Sequence, residues 1–313
     1  MRIRRAAPVR IAFMVLLGVA LVTYLRRTIL PAGAKTRTLS FGATMRSYVV
    51  YAGSAAKKTG LVLVLHGQGG NGVSMERRTD GAFDRIADRE GIVVVYPDAL
   101  GGAWNVGRSL SDRSPDPDGG VDDVGFLSVL IESLCKEFDI DPARVYAAGL
   151  SKGASMVYRL ACEREHEVAA IAPVAGWIAD SVAARCAEGR PVPLVIMHGT
   201  KDHVIPFEWA IPPSLAVWRR RNDCQAPEMV YLPDVDRSDG TRTRLEHHSR
   251  CKDGAEISLY VIEGGGHRWP GDALWNLFRQ SGATSGDFEP ASVMWEFFKR
   301  HSIPRPSARP DVP

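Results

Sequence analysis

The feature that most constrains this chain is a short segment centred on Ser151, with the sequence Gly-Leu-Ser-Lys-Gly. An apolar run of small residues leads into Gly149, and apolar residues at helical spacing follow Gly153. This pattern predicts a buried strand, a sharp turn and a helix. In such an elbow the serine has a strained backbone, and side chains two residues before or after it would collide with the strand or the helix. The turn would lift the Ser151 hydroxyl out of the sheet, toward the N–H groups at the start of the helix.

The same five residues are also compatible with an ordinary glycine-rich turn, because the chain contains 30 glycines. The interpretation of Ser151 as a nucleophile therefore depends on whether the chain supplies a base, an orienting acid and oxyanion donors in the required order.

Short apolar runs alternate with helical patterns along the chain. Strands are predicted at residues 48–51, 61–65, 92–96, 169–174, 194–197 and 256–262, besides the one before Ser151, and helices at 83–90, 122–138 and 293–298. Such alternation is typical of a mostly parallel central sheet with helices on both faces, an α/β fold. A length of 313 residues suits one large domain. We expect that domain to span residues 35–302, after a polar linker near 31–40 and before a disordered proline-rich tail, 303–313.

The N-terminus has the pattern of a targeting segment. Four arginines precede the unbroken apolar run of residues 11–25, and two more follow it. A helix of that length spans about 22 Å, short of the roughly 30 Å hydrocarbon core, so residues 1–34 fit a signal peptide. The flanking arginines and the distant small-residue site at 32–34 leave an uncleaved signal anchor open. Both alternatives predict an exported protein, secreted or periplasmic, whose contact with a membrane is limited to residues 11–25.

Neither the charge nor the motifs of the sequence indicate that the protein binds nucleic acid, a metal or a cofactor. The net charge is +3, no basic stripe carries interleaved aromatics, and no Cys/His spacing is typical of zinc. The pair Asp122-Asp123 is interpreted as a helix N-terminus, with Asp122 as the cap, and not as a metal site.

Five cysteines in an exported chain predict disulfides with one thiol left over. Cys224 and Cys251 flank two strand-like segments, so we expect them to link that hairpin. Cys162 and Cys186 form a second possible pair, and Cys135 lies near the apolar face of a helix, as a buried free thiol would. The pairing of these last three stays open.

Two segments are candidates for the oxyanion donors that an acyl-transfer site needs. The first donor would be the backbone N–H of Lys152. The second would come from the glycine-rich segment after the 61–65 strand, where Gly67 lets the backbone approach the substrate and Gln68 is the candidate N–H. The alternative for this segment is a plain turn at a strand end.

The acid and the base are expected in the loops after two later strands. Asp202 follows the 194–197 strand, at the sheet edge where the sites of open α/β sheets lie, although it is also compatible with a solvated turn aspartate. His267 follows the 256–262 strand and three glycines, in a loop that can place its imidazole over Ser151. Trp269 is predicted to wall the site and bind substrate.

The other histidines considered are interpreted as structural (His198, His203) or as surface residues (His247, His248, His301). Serine, acid, histidine is the chain order of the α/β-hydrolase fold.

Taken together, the motifs resemble those of the polyhydroxybutyrate depolymerase and feruloyl esterase family of secreted esterases. The resemblance covers roughly residues 37–300 and rests on Leu-His-Gly-x-Gly-Gly, Val-Asp-Asp-Val-Gly-Phe-Leu, Asp-Pro-x-Arg-Val-Tyr-x-x-Gly-Leu-Ser-x-Gly-Ala, His-Gly-Thr-x-Asp and Gly-Gly-Gly-His-x-Trp-Pro-Gly. It implies an α/β-hydrolase fold and a serine esterase mechanism without metal or cofactor. By motif, Ser151 would be the nucleophile, Asp202 the acid and His267 the base, and Cys224 and Cys251 fall where such members often have a disulfide.

The resemblance implies hydrolysis of carboxylic esters, such as polyhydroxyalkanoate oligomers or polymers and feruloyl, aryl or acetyl esters. Two residues depart from the family pattern: Lys152 after the serine and Arg268 after the histidine. We expect both to bring positive charge to the mouth of the site and to bias it toward acidic or polar groups. The alternatives are a serine peptidase of the same fold and a non-catalytic cell-surface binding protein.

Overall fold

The computed structural model describes residues 33–107, 120–272 and 282–304. Most of the predicted signal or anchor segment and most of the proline-rich tail lie outside these ranges. Within them, no helix combines the length and the apolarity needed to cross a bilayer.

The described residues contain one ten-stranded sheet. Its strands are β1 (Lys35–Phe41), β2 (Thr44–Tyr51), β3 (Leu61–Leu65), β4 (Val93–Pro97), β5 (Val145–Leu150), β6 (Ala170–Val174), β7 (Leu194–Gly199), β8 (Glu228–Tyr231), β9 (Arg242–His248) and β10 (Ile257–Glu263). The strand order is β1-β2-β4-β3-β5-β6-β7-β10-β9-β8. The six central strands, from β4 to β10, are parallel, and two antiparallel strands extend the sheet at each edge. The mostly parallel sheet predicted from the sequence is confirmed.

The central strands are apolar on both faces because helices cover both. In β3, Leu61, Leu63 and Leu65 face one core cluster, whereas Val62 and Val64 face the other. This alternation is the period of two expected of a strand buried on both sides.

Seven helices pack on the two faces within the described residues. They are α1 (Gly72–Arg78), α2 (Ala82–Glu90), α3 (Asp123–Glu137), α4 (Lys152–Glu163), α5 (Asp180–Ala183), α6 (Phe207–Arg221) and α7 (Pro290–Phe298). Helices α3, α4 and α6 contribute buried residues to the cluster that contains Leu63, and α1, α2 and α7 contribute to the cluster that contains Val62. The cap predicted for α3 is present, since the Asp122 side chain accepts from the Gly125 N–H.

One part of the predicted linker is wrong, because Lys35–Phe41 forms the edge strand β1, antiparallel to β2. Only one face of this strand meets the core, through Leu39 and Phe41, while Thr36, Thr38 and Ser40 on the other face are exposed. An edge strand half-covered in this way has the composition of a linker, which is why the sequence pattern did not reveal it.

The described residues contain two disulfides. Cys224 is bonded to Cys251 across the β8–β9 hairpin, as predicted, and Cys162 is bonded to Cys186. Cys135 is a buried free thiol. Disulfides persist in oxidising compartments, so the pairing supports an exported protein.

Candidate active site

The Ser151 segment has the predicted strand, sharp turn and helix. Ser151 lies between β5 and α4 with φ 57° and ψ −121°, a backbone conformation that non-glycine residues rarely adopt. A methyl group on Gly149 would lie 2.5 Å from the backbone carbonyl of Gly153. One on Gly153 would lie 2.3 Å from the Leu65 carbonyl oxygen. Both glycines are therefore required by close backbone packing around the turn.

The side chains of Ser151, His267 and Asp202 form a continuous hydrogen-bonded chain. The Ser151 Oγ is 3.0 Å from His267 Nε2, and His267 Nδ1 is 2.7 Å from Asp202 Oδ2. A carboxylate only accepts, so His267 donates from Nδ1, and in the neutral imidazole Nε2 is then the acceptor that faces the hydroxyl. This tautomer can take the proton of Ser151 when the hydroxyl attacks an electrophile.

The carboxylate of Asp202 is fully buried and is surrounded by N–H donors. Its Oδ1 accepts from the backbone N–H groups of Val204 and Ile205, and its Oδ2 lies near His198 as well as His267. Burial by itself raises the pKa of Asp202, but hydrogen bonds from His198 and His267 outweigh burial and hold that pKa well below its usual range. Asp202 is therefore ionised over the whole neutral range.

The glycine-rich segment after β3 lies directly against the elbow. A methyl group on Gly67 would be 3.3 Å from Ser151 Cβ and 3.9 Å from its Oγ. Two backbone amides further along the segment are already engaged. Gly69 donates to the Gly102 carbonyl at 2.8 Å, and Gly70 donates to the Gly67 carbonyl at 3.0 Å. Within the described residues, the Gln68 amide has no backbone partner. The Gln68 amide therefore remains available to a ligand, as does that of Gly67, which likewise has no backbone partner among the described residues.

His66 holds this segment in place. Its Nε2 accepts from the Ala99 N–H at 3.0 Å, so the ring proton is on Nδ1, which donates to the Gly67 carbonyl at 2.7 Å. Burial lowers the pKa of His66, which favours this neutral form. The buried Trp104 adds a bond from its indole N–H to the His66 carbonyl.

An aromatic pair is formed by residues that follow β6 and β7 in the chain. Trp177 and Trp209 have ring centroids 5.6 Å apart at 45°, and Trp209 is 48% exposed. Gly176 packs against the first turn of α4, since a methyl group there would lie 2.9 Å from the Ser151 carbonyl oxygen. The sequence analysis did not predict Trp177 as a site residue, although residues just after a parallel strand often belong to the site of an α/β fold. Trp209 lies in the first turn of α6.

The prediction that Trp269 lines the site is wrong. Trp269 is 2% exposed and its ring packs edge-on against Phe83 of α2, with centroids 6.4 Å apart. Two residues beyond His267 the chain has already turned into the core, and the indole fills the layer between α2 and the sheet.

The expectation that Arg268 brings charge to the mouth of the site is also wrong. Arg268 is 5% exposed, and burial lowers its pKa while Asp272 opposes that change. It faces a surface cavity of about 480 Å³ that Asp236 and Asp239 also line. Carboxylates thus offset its charge, whereas Lys152 is half-buried at the start of α4.

Of the other histidines, His203 is exposed and His198 is buried. The surface interpretation fails for His248, which is 1% exposed and whose Nδ1 donates to the Gln225 carbonyl. His247 and His301 are half-buried around Glu256. None of these three approaches Ser151 in the hydrogen bonds of the described residues. No group of three or more His, Cys, Asp or Glu among those residues is arranged to hold a metal ion.

Comparison with known proteins relates the chain to a class of enzyme. Residues 46–187 match the family described as esterase PHB depolymerase. NocK of Nocardia uniformis subsp. tsuyamanensis, which carries an esterase name, is 28% identical over 296 residues, 87% of this chain and 84% of that protein. Feruloyl esterase B of Piromyces equi is 26% identical over 240 residues.

The chain is a carboxylic ester hydrolase, similar to the PHB depolymerase family over residues 46–187. The bifunctional acetylxylan esterase/xylanase XynS20E of Neocallimastix patriciarum is 31% identical to it over 75% of this chain. The matched region covers only 38% of the length of the Piromyces protein and 33% of the length of the Neocallimastix protein. Among solved structures, the acetyl xylan esterase from Aspergillus awamori superposes with a TM-score of 0.57 at 17% identity, over 78% of this chain and 98% of that one, which shows the shared α/β-hydrolase fold.

Proposed function

We propose that the esterase cleaves its substrate by two-step acyl transfer through Ser151, His267 and Asp202. His267 takes the Ser151 proton from Oγ as that oxygen bonds to the ester carbonyl carbon. The tetrahedral intermediate collapses when His267 returns the proton to the leaving alcohol oxygen, which breaks the ester bond. Water then attacks the acyl-enzyme with the same proton transfers, and the carboxylic acid leaves. Asp202 keeps the imidazole in the reactive tautomer throughout.

The observation that carries this proposal is the hydrogen-bonded chain from Asp202 to a serine with strained backbone. The chain contains a useful contrast, because Ser258 also bonds a histidine: its Oγ is 3.0 Å from His247 Nδ1, and His247 Nε2 is 3.4 Å from Glu256. Ser258 lies within β10, with neither a sharp turn nor a helix N-terminus beside it. A hydroxyl beside an imidazole is thus not sufficient, and the elbow supplies what Ser258 lacks.

The test compares these two serines. We expect Ser151→Ala to lower kcat/KM on p-nitrophenyl butyrate by at least about a thousand-fold, and Ser258→Ala to leave kcat/KM within about twofold of the parent. Circular dichroism and melting curves would check that both variants fold. A folded Ser151→Ala variant with full activity would contradict the proposal. Activity on peptides and none on esters would favour a serine peptidase, and no activity on either would favour a binding protein.

The oxyanion is proposed to bind the backbone N–H groups of Lys152 and Gln68. Lys152 is the first residue of α4, where N–H groups point out of the helix along its dipole. Gln68 is supported by its free amide and by the contact of Gly67 with Ser151. Losing one such donor typically costs about 10² to 10³ in kcat.

Esters of aromatic acids are the substrate class that the site's border supports best. The Trp177–Trp209 pair offers an open aromatic surface beside the elbow, and planar rings stack on such surfaces with about 0.5–1.5 kcal/mol beyond their buried area. Relatives named feruloyl esterase agree with this class. Acetyl esters are the second candidate, since other relatives are named acetylxylan esterases.

Replacing the exposed indole separates the two classes. Trp209→Ala is expected to raise KM for methyl ferulate about three- to tenfold and to leave p-nitrophenyl acetate hydrolysis unchanged. Equal effects on both esters would contradict an aromatic acyl site. Soluble 3-hydroxybutyrate oligomers complete the panel, and a clear preference for them would replace the aryl assignment.

We also propose that the protein acts outside the cytoplasm, either released or held at the membrane by residues 11–25. The disulfides support the compartment. Fractionation of cells that express the full chain tests the attachment: carbonate-resistant membrane association indicates an anchor, and recovery in the soluble exported fraction indicates cleavage.

A further inference from the structure

A second histidine contacts the proposed catalytic acid. His198 lies near the end of β7, and its side chain is completely buried. Its Nε2 is 2.9 Å from the Ile205 carbonyl oxygen and 3.3 Å from Asp202 Oδ2. Because both are acceptors, the ring proton is on Nε2 and points between them. Within the described residues, Nδ1 has no hydrogen-bond partner.

These contacts close a ring around the carboxylate. The Ile205 N–H donates to Asp202 Oδ1 at 2.8 Å, while the Ile205 carbonyl accepts from His198. Oδ2 is shared between His267 at 2.7 Å and His198 at 3.3 Å. Phe207 packs edge-on against the His198 ring, with centroids 5.9 Å apart, and fixes its plane. His198 therefore constrains both the turn that carries Asp202 and the orientation of its carboxylate.

We propose that His198 is a positioning residue for ester hydrolysis, whose Nε2–H holds Asp202 in the orientation that accepts from His267. This inference rests on the proposed function, because it requires Asp202 to orient the catalytic base. His198 does not contact Ser151 in the hydrogen bonds of the described residues, so it acts through Asp202.

Removing the His198 donor has a specific electrostatic consequence. The Asp202 carboxylate loses one of the groups that disperse its charge and becomes a stronger acceptor for the proton of His267. The protonated base is then favoured, so the acid limb of the kcat/KM–pH profile moves to higher pH. The ionisable side chains that hydrogen-bond Asp202 among the described residues are these two imidazoles, and the loop neighbours Lys201 and His203 are exposed.

The test compares two amide replacements. The amide nitrogen of His198→Gln can reach the position of Nε2, whereas that of His198→Asn is one carbon shorter and cannot. We expect His198→Asn to lower kcat/KM about tenfold, mainly through kcat, and to move the acid limb upward by about half a pH unit or more. His198→Gln should keep most of the activity and the parental limb. His203→Gln, an exposed site in the same loop, is the control and should change neither.

A merely structural role would reduce the folded fraction and leave the acid limb in place. The inference is overturned if folded His198→Asn keeps the parental limb, or if His198→Gln shifts it equally. Ser151→Ala is assayed in parallel: full activity there would refute the proposed function itself, whereas an inactive Ser151→Ala with unshifted His198→Asn refutes only the role of His198.

Discussion

The strained backbone at Ser151 predicts that glycine at this position gives a more stable protein than alanine does. With φ 57° and ψ −121°, a side chain at this position costs about 1–3 kcal/mol of folding free energy. Glycine removes that strain but makes the unfolded chain more flexible, which costs roughly 0.5–1 kcal/mol relative to alanine. The difference leaves Ser151→Gly more stable than Ser151→Ala by up to about 2.5 kcal/mol.

The comparison with Ser151→Ala isolates the backbone, because both variants lose the hydroxyl and its bond to His267. The assay is urea and thermal unfolding under non-reducing conditions, where each kcal/mol corresponds to about 2–4 °C in Tm for a domain of this size. Ser155, one turn later in α4, provides the matched control. There Ser155→Gly should be less stable than Ser155→Ala by about 1 kcal/mol. If Ser151→Gly is likewise the less stable member of its pair, the strain argument is refuted.

Three further substitutions test other parts of the structure. Burial, reinforced by a nearby aspartate, raises the pKa of Glu76 to about 7 from a reference of 4.5, so its ionisation opposes folding as pH rises from about 4.5 to above 7. Glu76→Gln should therefore add about 3 kcal/mol of stability at pH 8 and almost none at pH 4. Equal gains at the two pH values would contradict this account of Glu76. Gly67→Ala places a methyl group 3.3 Å from Ser151 Cβ and should lower kcat/KM about tenfold with little change in Tm; unchanged kinetics would exclude a tight oxyanion segment. Asp123→Ala leaves Arg46, its buried partner at 2.6 Å, without a counter-charge and should cost about 3–5 kcal/mol in urea unfolding, so a loss below 1 kcal/mol would contradict that reasoning.

The parts of the site that could be predicted from the sequence are those that backbone geometry imposes. The elbow requires glycine at two positions, and parallel strands bring their carboxyl ends to one edge of the sheet. The loops that carry Asp202 and His267 follow neighbouring strands, β7 and β10, so the two side chains meet although they are 65 residues apart. The chain order serine, acid, histidine and the shared sheet edge were enough to predict that they meet.

The parts that could not be predicted depend on the direction of individual side chains. Trp269 and Arg268 follow His267 directly, yet both turn away from Ser151 into buried surroundings. The contact between His198 and Asp202 depends on a turn that brings the Ile205 carbonyl back over β7. Sequence spacing gives the loop that holds a residue but not the rotamer that it adopts.

The measurement that tests the central claim most directly is the mass of the serine adduct. The folded esterase is treated with a fluorophosphonate, and the modified peptide is identified by tandem mass spectrometry. A single phosphonyl group on Ser151, absent in His267→Ala and present in His247→Ala, is the predicted result. Modification at another serine, or none in an enzyme that still hydrolyses esters, would contradict the assignment of Ser151 as the nucleophile.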